Sequence, residues 1–286
     1  MSRGAAGERP ATGFRGRASD RCMEAIAGPR PRLFAHRGGS ALAPENTLVA
    51  FENGLRLGAD RLELDVHATA DGAVVVLHDA TLDRTTDGGG EVRRTTLSEV
   101  GRLDAGFRFA DATGAHPFRG RGVRVPTFAE VLAAFPDTPL NVEIKQHDPE
   151  IVGTVLADMD RARARSRVLL AAEDPAIMER IRELAPDVAT SSSVADVLEF
   201  FERLEAGRLA GYRPPGVALQ IPPSWEGREL VTAESVRAAH EAGLEVHVWT
   251  IDEPGEIERL LRLGVDGIVT DRPDVACRVC ERLSMR

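Results

Sequence analysis

The sequence predicts an α/β protein of the (β/α)8 TIM-barrel class, distorted by a small insertion after the third strand. Three observations predict it. From residue 33 onward, short apolar runs alternate with amphipathic stretches. The alternation recurs about eight times over roughly 250 residues, which suits a closed parallel barrel better than an open sheet. No Gly-x-Gly-x-x-Gly follows the first apolar run, which disfavours a dinucleotide-binding sheet.

Strands are expected at 33–36, 61–66, 74–78, 140–145, 168–172, 188–192, 217–221, 246–250 and 267–270. Pro44-Glu45-Asn46-Thr47 opens a helix that should stop at Gly58, because glycine accepts the left-handed conformation that ends helices. Further helices are expected at 127–135, 150–163, 175–184, 195–205, 232–242 and 254–263. Nine strands are one too many for the barrel. Only seven residues separate Val66 from Val74, too few for a crossover helix. Asp71-Gly72 is a hairpin signal, so these two strands are expected to pair antiparallel. The stretch 80–126 is rich in Gly, Thr and Arg and too long for a plain barrel loop, so it reads as an insertion or lid.

At 286 residues, with 43% hydrophobic and 28% charged side chains, the chain can bury one large core. The body, 33–286, is expected to be one domain. Residues 1–32 carry many arginines, glycines and prolines with no apolar periodicity and are expected to be a disordered extension; Met23 offers an alternative start. The extension holds no apolar core of a signal peptide, and Glu8, Asp20 and Glu24 speak against an organelle transit sequence. No run approaches the ~20 residues of a membrane span. A net charge of -9 argues against nucleic acid as partner. Cys22, Cys277 and Cys280 form no disulfide framework, and Cys277-x-x-Cys280 lacks the further ligands of a zinc site. Free thiols in a reducing, cytoplasmic setting are expected.

Polar residues on strands that should be buried carry the chemistry. Function in barrels collects at the C-terminal ends of the strands. The first strand ends in His36-Arg37; Glu63 and Asp65 share a face of the second; the third ends in His78-Asp79; Glu143 and Lys145 share a face of the next. Asp79 is set aside as a loop residue. Glu63, Asp65 and Glu143 converging on one rim would not ionise together without a cation. All-oxygen ligation suits Mg²⁺ or Ca²⁺ over zinc. Arg37 and Lys145 add positive charge that suits a phosphate. Of the 36 basic residues Lys145 alone is lysine, which points to a pocket that needs a compact charge.

These fragments occur in a set order: His36-Arg37-Gly38, Pro44-Glu45-Asn46-Thr47, Glu63-Leu64-Asp65-Val66, Asp71-Gly72, His78-Asp79, Arg84-Thr85-Thr86, Glu143-Ile144-Lys145, Val248-Trp249-Thr250 and 266–271. In that order the chain resembles the glycerophosphodiester phosphodiesterase family, over about residues 33–275. The family is similar in fold to phosphoinositide-specific phospholipase C barrels. The resemblance implies a divalent cation on Glu63, Asp65 and Glu143, and His36 and His78 as general acid–base pair. It also implies phosphate on Arg37 and Lys145, and Trp249 lining the wall near the alcohol. The substrate would be a small glycerophosphodiester, cleaved to glycerol 3-phosphate and an alcohol by water or by way of the glycerol 2-hydroxyl. The chain departs from the family at Ile251-Asp252, where many members carry asparagine. Asp252 is read as a helix N-cap in preference to a headgroup contact.

Rival readings share parts of this pattern. A lysophospholipase D or a phosphoinositide phospholipase C-like enzyme would use the same chemistry on another diester. A metal-dependent sugar-phosphate lyase or isomerase would need Lys145 free of Glu143. A non-catalytic barrel for phosphorylated ligands would lack one of the two histidines, and both are present. The oligomeric state has no sequence signal.

Overall fold

The computed structural model describes Gly28 and residues 30–286; the rest of the expected N-terminal extension, with Cys22, lies outside the described residues. Eight parallel strands form the barrel: β1 (Arg32–Ala35), β2 (Arg61–Ala68), β4 (Leu140–Ile144), β5 (Val168–Ala171), β6 (Ala189–Thr190), β7 (Ala218–Ile221), β10 (Glu245–Val248) and β11 (Gly267–Thr270). Each pairs with its neighbours in chain order, β1 closes on β11, and a single parallel bridge between Ser191 and Ala218 joins β6 to β7. The extra strand β3 (Val74–Val76) pairs antiparallel with β2, as the short connection predicts. A small hairpin, β8 (Ser224–Trp225) with β9 (Arg228–Glu229), follows β7.

Eight helices cover the barrel, one after each barrel strand: α1 (Leu48–Arg56), α3 (Phe128–Ala134), α4 (Val152–Arg161), α5 (Pro175–Leu184), α6 (Val194–Glu205), α7 (Ala233–Glu241), α8 (Pro254–Leu263) and α9 (Pro273–Arg282). A short helix, α2 (Leu97–Val100), belongs to the insertion. The starts are fixed by local chemistry. Thr127 with Glu130 and Ser193 with Asp196 form capping boxes, and Pro175, Pro254 and Pro273 stand where the helix needs no amide donor. Such a cap contributes about 1 kcal/mol. The sequence reading missed α9, whose Cys277 and Cys280 are free thiols; Cys280 is buried in the core.

Asp252 corrects another expectation. The residue preceding α8 is Glu253, without a side-chain cap, because Pro254 starts the helix one residue later than the cap reading needs. Asp252 Oδ1 instead accepts hydrogen bonds from Thr270 Oγ1 at 2.9 Å and the Asp271 amide at 2.8 Å.

Leu62, Leu64 and Val66 face outward into the core shared with α1 and α3, so Arg61, Glu63, Asp65 and His67 face into the barrel. The barrel interior is therefore polar at both ends. At the N-terminal end Arg32 donates to Glu245 Oε2 at 2.7 Å, Arg30 pairs with Glu245 and Asp266, and His247 Nε2 lies 3.0 Å from Glu245. Arg30 and Arg32 thus belong to the ordered fold, slightly earlier than residue 33. Gln220 donates to Asn141 at 3.1 Å, and the Arg61 guanidinium stacks over Phe34.

The insertion, 80–126, builds its own small core from Leu82, Val92, Val100, Ala105, Val123 and Val125 beneath Val75 and Leu77. Among the described residues no helix is long and apolar enough to cross a membrane.

Candidate active site

Glu63, Asp65 and Glu143 meet at the C-terminal half of the barrel, on adjacent strands where Asp65 stands opposite Glu143. One carboxylate oxygen from each lies within 4.8 Å of the others. Burial raises the Glu63 carboxyl to about 8, with the negative charge of Asp65 adding to the effect. Glu143 is also pushed up, first by burial and then by Asp65, against the pull of Lys145. Two buried carboxylates and a half-buried third, all offering oxygen at one point, fit a hard divalent cation.

Positive groups surround them. Lys145 Nζ is 2.7 Å from Glu143 Oε1 and 3.5 Å from Asp65 Oδ1. Burial pulls its ammonium down, but the Glu143 and Asp65 charges outweigh that and its pKa rises. Lys145 is thus paired with Glu143, against the free lysine that the lyase reading needs. Glu143 Oε1 faces the cluster already paired with the Lys145 ammonium.

Arg37 sits in the 3-10 turn after β1 with φ 50°, a left-handed conformation unusual for a side chain of this size. The turn is held because Gly38 packs on α1; a Cβ there would meet Ala50 Cβ at 2.6 Å. The Arg37 amide donates to Glu63 at 3.0 Å, its Nη1 donates to Glu45 at 3.0 Å, and its Nε is 3.3 Å from Asp65. Asn46 Nδ2 donates to Asp65 Oδ2 at 3.0 Å.

His36 Nδ1 donates to Asp271 Oδ1 at 2.6 Å, which turns Nε2 toward the carboxylates, 3.9 Å from Glu63. Burial lowers the His36 pKa, but the hydrogen bond to Asp271 and the charges of Glu63 and Asp271 raise it above the ordinary value. His78 follows β3 and donates from Nδ1 to Asp79 at 2.8 Å. Its backbone carbonyl accepts from His67 Nε2 at 3.0 Å, which ties the end of the hairpin to β2. Trp249 follows β10 on the same face, 37% exposed.

All eight residues singled out in the sequence thus lie at this end of the barrel. The sequence reading set Asp79 aside as a loop residue and gave no role to Asp271, Glu45, Asn46, Arg84 and His67; these residues hold the others in place. Two had a usable signal. Asp271 continues the inward parity of Gly267 and Val269 beyond β11, and His67 continues that of Glu63 and Asp65.

An acidic cluster that could hold a cation, beside a histidine and the basic Arg37 and Lys145 at the C-terminal end of a TIM barrel, belongs to the class of arrangements suited to metal-assisted phosphoryl chemistry. Comparison with known proteins narrows the class. Residues 36–275 match the Glycerophosphoryl diester phosphodiesterase family, and the chain belongs to that family. A glycerophosphodiester phosphodiesterase of Caldanaerobacter subterraneus subsp. tengcongensis is 32% identical over 251 residues, covering 85% of this chain and 94% of the relative. A crystal structure of a putative glycerophosphoryl diester phosphodiesterase from Silicibacter pomeroyi superposes with a TM-score of 0.74 at 29% identity, covering 92% of this chain and 98% of that one. A phosphodiesterase of Oleispira antarctica, solved with the product sn-glycerol-3-phosphate, gives a TM-score of 0.72 at 25% identity, covering 88% and 97%. The chain is a phosphodiesterase enzyme.

Proposed function

We propose that this phosphodiesterase hydrolyses glycerophosphodiesters to glycerol 3-phosphate and an alcohol on one Mg²⁺ or Ca²⁺ ion held by Glu63, Asp65 and Glu143. The observation that carries the reading is the juxtaposition of that cluster with Lys145, Arg37 and His36. The bound cation supplies Lewis-acid polarisation of a phosphoryl oxygen.

The chain's own groups supply the rest. Arg37 and Lys145, already held by acidic partners, present fixed positive charge to the remaining phosphate oxygens. His36 and His78 each keep Nδ1 on a carboxylate, which leaves Nε2 to move a proton. One takes the proton of the attacking hydroxyl as the new P–O bond forms. The other delivers a proton to the alcohol oxygen as the old P–O bond breaks.

The test is a release assay with glycerophosphocholine, glycerophosphoethanolamine, a lysolipid and a phosphoinositide, with and without chelator. Release of glycerol 3-phosphate that depends on added Mg²⁺ or Ca²⁺ supports the reading; full release in excess chelator sinks it. A second arm uses a diester with a very acidic leaving alcohol, which should rescue only the histidine variant that lacks the general acid.

A lysophospholipase D reading has one observation in its favour. Val194, Leu198, Trp225 and Trp249 are exposed and follow the neighbouring strands β6, β7 and β10. Such a sector offers apolar surface to an acyl chain. Preference for the lysolipid in the same assay would establish it. The two free thiols fit the reducing, cytoplasmic setting expected from the sequence.

A further inference from the structure

The insertion reaches the site through one side chain. Leu82 and Thr86, on either side of Arg84, are fully buried. Thr86 Oγ1 donates to the Leu82 carbonyl at 2.7 Å, and the Leu82 amide donates to Gly90 at 3.0 Å. The backbone that carries Arg84 is therefore fixed by the insertion's own core. From there the guanidinium bridges two carboxylates on different loops. Nε donates to Asp79 Oδ2 at 2.7 Å and Nη2 to Asp79 Oδ1 at 2.9 Å. Nη1 donates to Glu45 Oε2 at 2.6 Å and Nη2 to Glu45 Oε1 at 2.8 Å.

Each carboxylate has a second duty. Asp79 Oδ1 is also the acceptor for His78 Nδ1, and Glu45 Oε1 is also the acceptor for Arg37 Nη1. Asp79 directly follows its histidine in sequence, so its side-chain torsion needs fixing from elsewhere in the fold. The paired bonds from Arg84 do so. They hold Oδ1 where it selects the His78 form with the proton on Nδ1 and the free electron pair on Nε2.

We propose that Arg84 is a positioning residue for the proton transfer at His78, a role that rests on the acid–base reading of that histidine. The insertion then has a catalytic purpose: it delivers the planar fork that ties Asp79 to Glu45. A lysine at 84 would keep the charge but could not hold two carboxylates in plane.

The test compares Arg84→Ala and Arg84→Lys, each in the wild-type and the His78→Ala backgrounds, at saturating cation with glycerophosphocholine. In the wild-type background both should lower kcat by about 10- to 100-fold, with KM changed far less. In the His78→Ala background the further loss should be no more than about threefold, because the group being positioned is gone. Imidazole ¹⁵N spectra should show His78 passing from a single Nδ1–H form to a mixture of tautomers in Arg84→Lys.

Equal losses in both backgrounds would overturn the proposal and leave Arg84 as a brace for the insertion. Full activity in Arg84→Lys would overturn it as well, since the bridge would be dispensable. If His78→Ala itself keeps near-normal turnover, the acid–base reading and this inference fall together. If His78→Ala collapses while the Arg84 variants do not, this inference alone fails.

Discussion

Charge is buried at both ends of the barrel, under opposite conditions. At the N-terminal end, burial pushes the Glu245 carboxyl up, but the hydrogen bond from His247 and the charges of His247, Arg32 and Arg30 bring it below its ordinary value. Burial holds the neighbouring His247 below its usual pKa. That end is a plug whose acids are matched by cations. At the C-terminal end, burial and Asp65 raise Glu63 to about 8, although Arg37 and Lys145 stand beside the cluster. One end is complete in itself and the other is short of positive charge. An unmet demand for positive charge, kept at the end where barrels do chemistry, marks a functional site more sharply than burial of charge alone.

The largest expected effect follows from the proton-transfer groups of the unbalanced end. His36→Ala and His78→Ala should each cost about 10²–10⁴ in kcat with the fold retained. Near-normal turnover with a natural headgroup in either variant would remove that histidine from the chemistry.

The sharpest comparison uses one substitution type at both ends. Glu245→Gln leaves Arg32 buried beside a neutral amide and should destabilise the protein by about 3–5 kcal/mol, the usual cost of breaking a buried pair. Glu63→Gln relieves like-charge crowding, so it should raise the melting temperature of the cation-free protein while abolishing cation-dependent turnover. Thermal unfolding of both variants in chelator decides this; two shifts of the same sign would mean the ends do not differ as argued.

A pH dependence follows from the same contrast. Folded, cation-free protein holds the Glu63 proton up to about 8, whereas an ordinary glutamate loses it near 4.5. Between those values the folded chain carries the extra proton, so this group's contribution makes stability fall as pH rises. Melting temperatures in chelator should decline from about pH 5 to pH 8. Added Mg²⁺ should oppose the decline, since the cation binds the deprotonated cluster. A chelator profile that is flat or rising over this window would contradict the charge shortage.

The smallest expected effect is at Lys145. Lys145→Arg keeps the charge, but the wider fork should grip Glu143 at two points and draw it from the cation. A lower kcat/KM and a higher cation requirement, with little change in melting temperature, are expected from titrating metal against activity. Wild-type kinetics at low metal would make the lone lysine an accident of composition.

The barrel was readable because apolar strand runs and amphipathic helical stretches alternate along the chain, and every covering helix except Val152–Arg161 starts at a side-chain cap or a proline. The extra strand was readable because seven residues cannot cross a sheet. The acidic cluster was readable from parity, since residues two apart on a strand share a face. The supporting partners were hidden for a different reason. Asp271 lies 235 positions from His36, and Arg84 lies 39 from Glu45, so only folding makes them neighbours. Asp252 misled because aspartate before a helix suits a cap, while its actual partners come from the adjacent strand end. The helix Pro273–Arg282 has no side-chain cap to announce it, and Pro273 at its first turn is its one start signal.

The bridge between Ser191 and Ala218 has a consequence for how the barrel breathes. β2 and β4 pair over five residues, whereas the two-residue β6 meets β7 at that single bridge. Even this contact needs Gly216, where a Cβ would stand 2.7 Å from the Ser191 carbonyl oxygen. Amide protons at 190–192 and 217–218 should therefore exchange with deuterium well before those of β2 and β4. Fluctuation is then concentrated on the side carrying Trp225 and Val194, and the carboxylates sit on the stiff side. Looseness on that side would leave the spacing of Glu63, Asp65 and Glu143 undisturbed.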